Sequence, residues 1–229
     1  VLKLAETCER TNTFLVVDEC FEEFLDEPEA YSIIPFLEKL SHVFVLKAFT
    51  KIYAMAGLRL GYALCSNEDV LTKICQVRQP WSVSGLAQRA GIAALKETEY
   101  VLKTRKLIHE QREKMETALT ELGYIVYPSQ ANYIFFMEKT LEGATDSLYD
   151  RMLKQGVLIR SCSNYPGLDA SCYRICVKTE EENREFLHKL SQCTVTKRTD
   201  IKCADTKHTD TVYTDANPTQ APHRPEKEE

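Results

Sequence analysis

The 229 residues are 44% hydrophobic and 28% charged, a composition typical of a globular protein with a substantial core. A net charge of −5, with no basic cluster, argues against a nucleic-acid partner, and no apolar run is long enough to span a membrane. The first residues lack a signal-peptide pattern, so we expect a cytoplasmic protein. None of the nine cysteines forms a Cys-x-x-Cys pair, which favours free thiols, and we predict no metal site.

The first part of the chain predicts an α/β layer. A helix end over residues 1–9 precedes three apolar strands, which are predicted over residues 14–17, 43–46 and 62–65. Their apolar residues are consecutive, as in strands that are covered on both faces of a mostly parallel sheet. We therefore assign residues 1–95 to one α/β unit.

The second part predicts a smaller α+β domain over residues 96–192. Two helices are predicted between residues 84 and 122, the second with an apolar stripe at Ile108, Met115, Leu119 and Leu122 and a C-cap at Gly123. Four short strands and two further helices follow. The strands are predicted over 124–127, 132–136, 157–160 and 173–177, and the helices over 145–155 and 179–192. Residues 193–229 are polar and contain three prolines, so we predict a disordered tail.

One segment carries the most chemical information, since it combines a lysine, a turn of small residues and an arginine. Lys51 follows Thr50, and Arg59 stands eight positions after the lysine. A lysine in a fixed, partly desolvated setting can form a Schiff base, and an arginine beyond a tight turn can hold a phosphate bidentately. The pattern indicates a covalently bound aldehyde that carries a phosphate, which is pyridoxal phosphate.

An acid stands at the end of the preceding strand. Asp18 follows the predicted strand 14–17, and Lys51 follows the next one. Ligands of open α/β sheets bind beyond the carboxyl ends of strands, so we expect both side chains to face one crevice. A carboxylate paired with the pyridine nitrogen keeps that nitrogen protonated and makes the ring an electron sink.

These motifs, in this order, resemble the class I/II aminotransferases of fold type I. They are Val17-Asp18-Glu19, Thr50-Lys51 and the run from Ala56 to Tyr62. The resemblance implies the large domain of a pyridoxal-phosphate enzyme, a smaller C-terminal domain and a homodimer. Carried over by position, it makes Lys51 the Schiff-base lysine, Asp18 the partner of the pyridine nitrogen, and Arg59, with Thr50 beside the lysine, a phosphate contact.

Two residues of the C-terminal part match substrate contacts of the same family. Arg174 matches the arginine that binds the substrate carboxylate, and Asn132 matches a position near the substrate. The stretches 80–87 and 159–168 are similar to the subgroup that decarboxylates L-threonine O-3-phosphate in cobalamin side-chain synthesis. Phe21 agrees with that subgroup, because histidinol-phosphate aminotransferases usually carry a tyrosine there. Arg160 is then a second anion contact, or alternatively an arginine in a surface salt bridge.

The expected function is therefore decarboxylation of a small phosphorylated amino acid, L-threonine O-3-phosphate, to aminopropanol phosphate. A pyridoxal-phosphate aminotransferase, such as one for histidinol phosphate, is the alternative, because both reactions use the same residues. A non-catalytic relative is a third hypothesis. Ala48 stands where the family often has a phosphate-binding Ser or Thr, and the family's other cofactor contacts come from sequence upstream of Val1. The chain thus corresponds to an N-terminally truncated enzyme.

Overall fold

The computed structural model describes residues 1–139 and 146–194. Its first part contains three strands, which are β1 (Leu15–Asp18), β2 (Val43–Ala48) and β3 (Gly61–Leu64). Its helices are α1 (Leu2–Arg10), α2 (Pro28–Tyr31), α3 (Glu68–Val77) and α4 (Gly85–Ala94). Among the described helices, none is both long enough and apolar enough to cross a lipid bilayer.

The first sheet has the order β1-β2-β3 and is mixed. β1 and β2 are parallel, with Asp18 opposite Leu46, whereas β3 runs antiparallel to β2, with Gly61 opposite Ala48. The segment between β2 and β3 holds only a short 3-10 turn. A parallel return needs a crossover, usually a helix, so β3 returns antiparallel.

The second part forms the predicted α+β arrangement. Its strands are β4 (Ile125–Tyr127), β5 (Tyr133–Met137), β6 (Arg160–Ser161) and β7 (Cys172–Cys176), in the order β4-β5-β7-β6. Every ladder between them is antiparallel. The helices of this part are α5 (Thr98–Glu121), α6 (Leu148–Lys154) and α7 (Glu180–Thr194).

Helical periodicity predicts the packing of α5 correctly. Ile108, Met115 and Leu119 are buried, and Leu122 packs against the same core. Gly123 has a φ of +91°, which glycine adopts without the penalty that a Cβ carries. Burial of this stripe against β4 and β5 fixes α5 along the second sheet.

One predicted strand is much shorter than expected. The sequence predicts a strand over residues 157–160, but only Arg160 and Ser161 form β6. The N–H of Val157 donates to the carbonyl of Met152 in α6, so it is not available to a strand partner. Val157 therefore completes the end of the helix, and the chain passes through residues 158 and 159 before the strand begins.

The predicted domain boundary at 95/96 is crossed by a shared hydrophobic core. Phe24 and Ile52 from the first part are buried in the same cluster as Leu119, Ile134 and Phe136. The division at residue 95 stays a prediction. The predicted tail begins inside α7, because this helix includes residues 193 and 194, and residues 195–229 lie outside the described part.

Candidate active site

The predicted acid and lysine lie at the same edge of the first sheet. Asp18 is the last residue of β1, and Lys51 follows β2 by three residues. Because β1 and β2 are parallel neighbours, their carboxyl ends meet at one edge. This is the edge where open α/β sheets bind ligands.

The Lys51 amine is exposed and unpaired in the described part of the chain. A turn closed by the Ala54 N–H and the Lys51 carbonyl, 3.0 Å apart, follows the lysine. The Nζ atom lies 5.3 Å from the centroid of the Phe21 ring and makes neither a hydrogen bond nor an ion pair with a described residue. The amine is more exposed than the partly desolvated lysine that the sequence predicts, yet it is free for covalent chemistry.

Four of the predicted site residues line one cleft of about 930 Å³. They are Lys51, Asn132, Arg160 and Arg174. They come from both parts of the chain, so the cleft depends on the packing between the first sheet and the second. The structure thus brings the lysine and the predicted substrate contacts together.

Asp18 lines a different, neighbouring cavity of about 450 Å³. Phe21 and Tyr133 line both cavities and contact each other edge to face, with ring centroids 5.5 Å apart. These two rings therefore form a wall between the acid and the lysine. The sequence analysis uses Phe21 only as a subgroup marker and misses Tyr133, because β5 is apolar along its whole length and no alternation marks one face.

The Asp18 carboxylate is held in its ionised form. Its Oδ1 accepts a hydrogen bond of 2.9 Å from the Cys20 N–H. Hydrogen bonds from the Cys20 thiol and main chain lower the pKa of Asp18. Burial, followed by the effect of Asp18, raises the pKa of the Cys20 thiol to about 11. A charged carboxylate at this position can pair with a protonated ring nitrogen.

Two arginines stand directly opposite each other on neighbouring strands. Arg160 on β6 pairs in register with Arg174 on β7, and both side chains are exposed. Neither forms an ion pair with a described carboxylate, although Arg160 donates to Asn164 at 3.2 Å. Like charges at directly opposed positions destabilise a sheet. An anion between them would relieve this repulsion, so the pair suits a ligand with carboxylate or phosphate groups.

Thr50 and Arg59 lie outside both cavities. The Phe49 N–H donates to the Leu60 carbonyl at 3.2 Å, which continues the contact between the two strands just beyond the pair Ala48 and Gly61. Arg59 is exposed, has a φ of +52°, and donates to the Ala56 carbonyl at 3.2 Å. Thr50 and Arg59 thus lie on either side of the turn that joins β2 to β3, and their role as phosphate contacts stays a prediction.

A second lysine, which the sequence analysis does not single out, is buried behind the site. Lys47 is 7% exposed and forms ion pairs with Glu22, Glu23 and Glu19. Burial alone would lower the pKa of Lys47, but its hydrogen bonds to Glu22 and Glu23 outweigh burial and raise it. Phe21 lies between these glutamates in sequence, so the cluster fixes the segment that places its ring beside Lys51.

The site thus combines a lysine without an ion pair, an ionised acid at the neighbouring strand end, and two arginines without a carboxylate partner among the described residues, all on an α/β fold. The family model for aminotransferases of class I and II matches residues 1–190. The chain belongs to this family, whose enzymes use pyridoxal 5'-phosphate. The roles of Lys51 at the aldehyde and Asp18 at the ring nitrogen of that cofactor stay predictions, as do those of Thr50 and Arg59 at its phosphate.

The relatives include both a decarboxylase and aminotransferases. The threonine-phosphate decarboxylase of Salmonella typhimurium is 36% identical over 188 residues, which are 82% of this chain and 50% of that protein. The histidinol-phosphate aminotransferase of Oleidesulfovibrio alaskensis is 35% identical over 80% of this chain and 47% of that protein. The chain thus spans about half the length of these relatives.

A solved structure shows the same fold. The histidinol-phosphate aminotransferase from Clostridium acetobutylicum superposes with a TM-score of 0.79 at 30% identity, over 84% of this chain and 57% of that one. The predicted α/β fold of the pyridoxal-phosphate enzymes is therefore confirmed.

Proposed function

We propose that the protein decarboxylates L-threonine O-3-phosphate to aminopropanol phosphate with pyridoxal phosphate as cofactor. The observation that carries the proposal is a cleft lined by Lys51 and by two arginines that have no carboxylate partner among the described residues. A substrate with one carboxylate and one phosphate supplies an anion to each guanidinium. The resemblance of residues 80–87 and 159–168 to the decarboxylase subgroup supports the choice of reaction.

Each residue has a defined role in this proposal. Arg174 binds the substrate carboxylate, and Arg160 binds the substrate phosphate. Asn132, which is half-buried in the same cleft, contacts the substrate between them. Thr50 and Arg59 hold the cofactor phosphate, and Asp18 keeps the ring nitrogen protonated.

Bound at Lys51, pyridoxal phosphate supplies a ring that accepts the electron pair left when a bond to the amine-bearing carbon breaks. Decarboxylation breaks the bond between this carbon and the carboxylate carbon, and carbon dioxide leaves. A proton then takes the place of the carboxylate. Once the substrate amine has replaced Lys51 Nζ on the cofactor, the released lysine amine would deliver this proton.

Transamination is the competing reaction at the same site. Lys51 Nζ would instead remove the proton from the amine-bearing carbon, and the carboxylate would stay in place. This alternative is supported by a histidinol-phosphate aminotransferase whose sequence identity to this chain is comparable to that of the decarboxylase. The two reactions use the same residues but break different bonds. Analysis of the products therefore distinguishes them.

The test uses the full-length protein with pyridoxal phosphate and O-phospho-L-threonine. We expect release of carbon dioxide and formation of aminopropanol phosphate. Arg174→Gln should remove most of this activity, whereas Arg184→Gln, a matched change at an exposed arginine of α7, should not. If no carbon dioxide forms and glutamate is produced from 2-oxoglutarate and histidinol phosphate, the decarboxylase proposal is wrong.

A non-catalytic role is tested by cofactor binding. A functional site gives an absorbance band near the edge of the visible range when the cofactor is added. The absence of a band in the full-length protein would overturn the enzymatic proposal. The homodimer, which the resemblance implies, and the cytoplasmic location, which the first residues suggest, both stay proposals.

A further inference from the structure

A row of contacts connects the predicted cofactor lysine to the predicted carboxylate-binding arginine. Lys51 Nζ lies 5.3 Å from the centroid of Phe21, and Phe21 meets Tyr133 edge to face, at an interplanar angle of 87°. On the far side, the Arg174 guanidinium carbon lies 5.1 Å from the centroid of Tyr133. The two aromatic rings therefore separate the two cationic groups and touch both.

The register of the second sheet places Tyr133 under Arg174. Tyr133 on β5 is opposite Cys176 on β7, and Arg174 is opposite Phe135. Tyr133 and Arg174 are thus diagonal neighbours on one face, within reach of an aromatic ring and a long side chain. The residues on the opposite face, Ile134 and Ile175, are buried in the core and anchor both strands.

Arg174 has little else to hold it. Its guanidinium makes no hydrogen bond or ion pair with any side chain that the structure describes. In contrast, Arg112 and Arg151, elsewhere in the second part, bind Asp26 and Glu138 respectively. An unpaired arginine samples many rotamers and loses that freedom when it binds a ligand. The Tyr133 ring face is the contact that restricts it beforehand.

Tyr133 itself is well fixed. Its main-chain carbonyl accepts a hydrogen bond from the Ser129 hydroxyl, and its ring is braced by Phe21. The Phe21 segment is in turn tied to β2 by the ion pairs of Lys47. An aromatic ring fixed in this way can hold a guanidinium in place.

We infer that Tyr133, braced by Phe21, is a positioning residue that holds Arg174 in the orientation in which it binds the substrate carboxylate. This inference rests on the proposed function, since it takes Arg174 as the carboxylate contact. It assigns to Tyr133 a role in affinity for carboxylates and none in affinity for the phosphate group.

The experiment compares two ligands that differ by the carboxylate. O-phospho-L-threonine carries it, and aminopropanol phosphate lacks it. Calorimetry on the cofactor-free full-length protein measures the affinity for each ligand, and steady-state kinetics measures KM and kcat. Tyr133→Leu removes a cation–π contact at an exposed site. We therefore expect its affinity for O-phospho-L-threonine to fall about two- to fivefold. Aminopropanol phosphate should bind Tyr133→Leu as it binds the unmodified protein, and the kinetic effect should fall on KM.

Conservative and control variants separate positioning from general damage. Tyr133→Phe keeps the ring and should retain the affinity for both ligands. Tyr100→Leu removes a tyrosine of α5 that stacks on Tyr53 and contacts no arginine, so it should change neither affinity. If Tyr133→Leu does not fold, Phe21→Leu should give a smaller loss that is also specific for the carboxylate ligand.

A double variant distinguishes failure of this inference from failure of the proposed function. If Tyr133 acts through Arg174, adding Tyr133→Leu to Arg174→Gln causes no further loss for O-phospho-L-threonine. If Arg174→Gln alone leaves that affinity unchanged, the carboxylate-binding role is wrong, and the proposed function fails with it. If Arg174→Gln weakens binding but Tyr133→Leu does not, or weakens both ligands equally, only the positioning role is overturned.

Discussion

Lys47 and Lys51 stand four residues apart, one inside β2 and one just beyond it, yet their surroundings are opposite. Lys47 is buried among three glutamates, whereas Lys51 is exposed over an aromatic ring and has no ion-pair partner in the described part of the chain. A buried amine that is fully paired keeps its proton and stabilises the fold. An unpaired amine in a cleft is free to react, so pairing rather than burial separates the structural lysine from the candidate catalytic one.

The largest expected effect is loss of function without loss of stability at Lys51. Lys51→Ala should lower activity at least about 10³-fold and abolish the cofactor absorbance band. Because the side chain is exposed, the free energy of unfolding should change by no more than about 0.5 kcal/mol. Lys73→Ala, at an exposed lysine of α3, serves as the control and should keep both activity and the band. A band that survives Lys51→Ala would assign the cofactor to another lysine.

The reverse pattern is expected at Lys47. Lys47→Met should lower the free energy of unfolding by about 3 kcal/mol, because removal of one partner leaves buried carboxylates uncompensated. This is the lower end of the usual range, since the Glu23 side chain is 23% exposed. Urea denaturation measures the loss. Lys103→Met, which removes a highly exposed ion pair, is the control, and its loss of stability should be near zero. An equal loss in both variants would contradict a structural role that is specific to Lys47.

The destabilisation by Lys47→Met should also depend on pH. Burial raises the pKa of Glu22 above its usual 4.5, although Lys47 opposes this. A carboxyl group with a raised folded-state pKa stabilises the fold below its unfolded pKa, and that contribution is lost as the pH rises through the folded-state value. Without Lys47, less opposes the rise in the pKa of Glu22. The difference in the free energy of unfolding between Lys47→Met and the wild type should therefore be small near pH 4 and grow toward neutral pH. A difference that stays constant over this range would show that the glutamates do not cause it.

Arg59 should resemble Lys51, since the proposal gives it a role in cofactor binding and none in the fold. Arg59→Gly removes one charge-assisted contact to the cofactor phosphate, worth about 1.5–3 kcal/mol, or roughly ten- to 150-fold in cofactor affinity. Glycine also relieves the left-handed backbone at φ +52°, so stability should not fall. Fluorescence titration with pyridoxal phosphate and a thermal melt measure the two effects. Unchanged cofactor affinity would remove Arg59 from the phosphate site.

The smallest expected effect is a gain at Ala48. This residue ends β2 between the two lysines, at the position where the family resemblance implies a hydroxyl. Ala48→Ser should strengthen cofactor binding by about 1 kcal/mol, or roughly fivefold, if the new hydroxyl reaches the phosphate. Ala63→Ser, on the neighbouring strand β3, is the matched control. A weaker affinity in Ala48→Ser would show that the hydroxyl cannot reach the phosphate.

The sequence predicts local features of this molecule better than long-range ones. The stripe on α5 and the turn at Gly123 depend on neighbours in sequence, and both are confirmed. The opposition of Arg160 and Arg174 depends on the register of β6 against β7, across an intervening loop, which no local pattern encodes. The wall of Phe21 and Tyr133 likewise joins residues that are far apart in sequence, one in the turn after β1 and one in β5. In the sequence, Lys47 has the appearance of an ordinary strand residue, because the glutamates that surround it come from another segment.

The most direct test of the central claim is to find which lysine carries the cofactor. Pyridoxal phosphate is added to the full-length protein, the bond to the lysine is reduced with borohydride, and the labelled peptide is located by mass spectrometry. The contrast between the two lysines predicts a single label on Lys51 and none on Lys47. A label on Lys47, labels scattered over exposed lysines, or no label at all would contradict it.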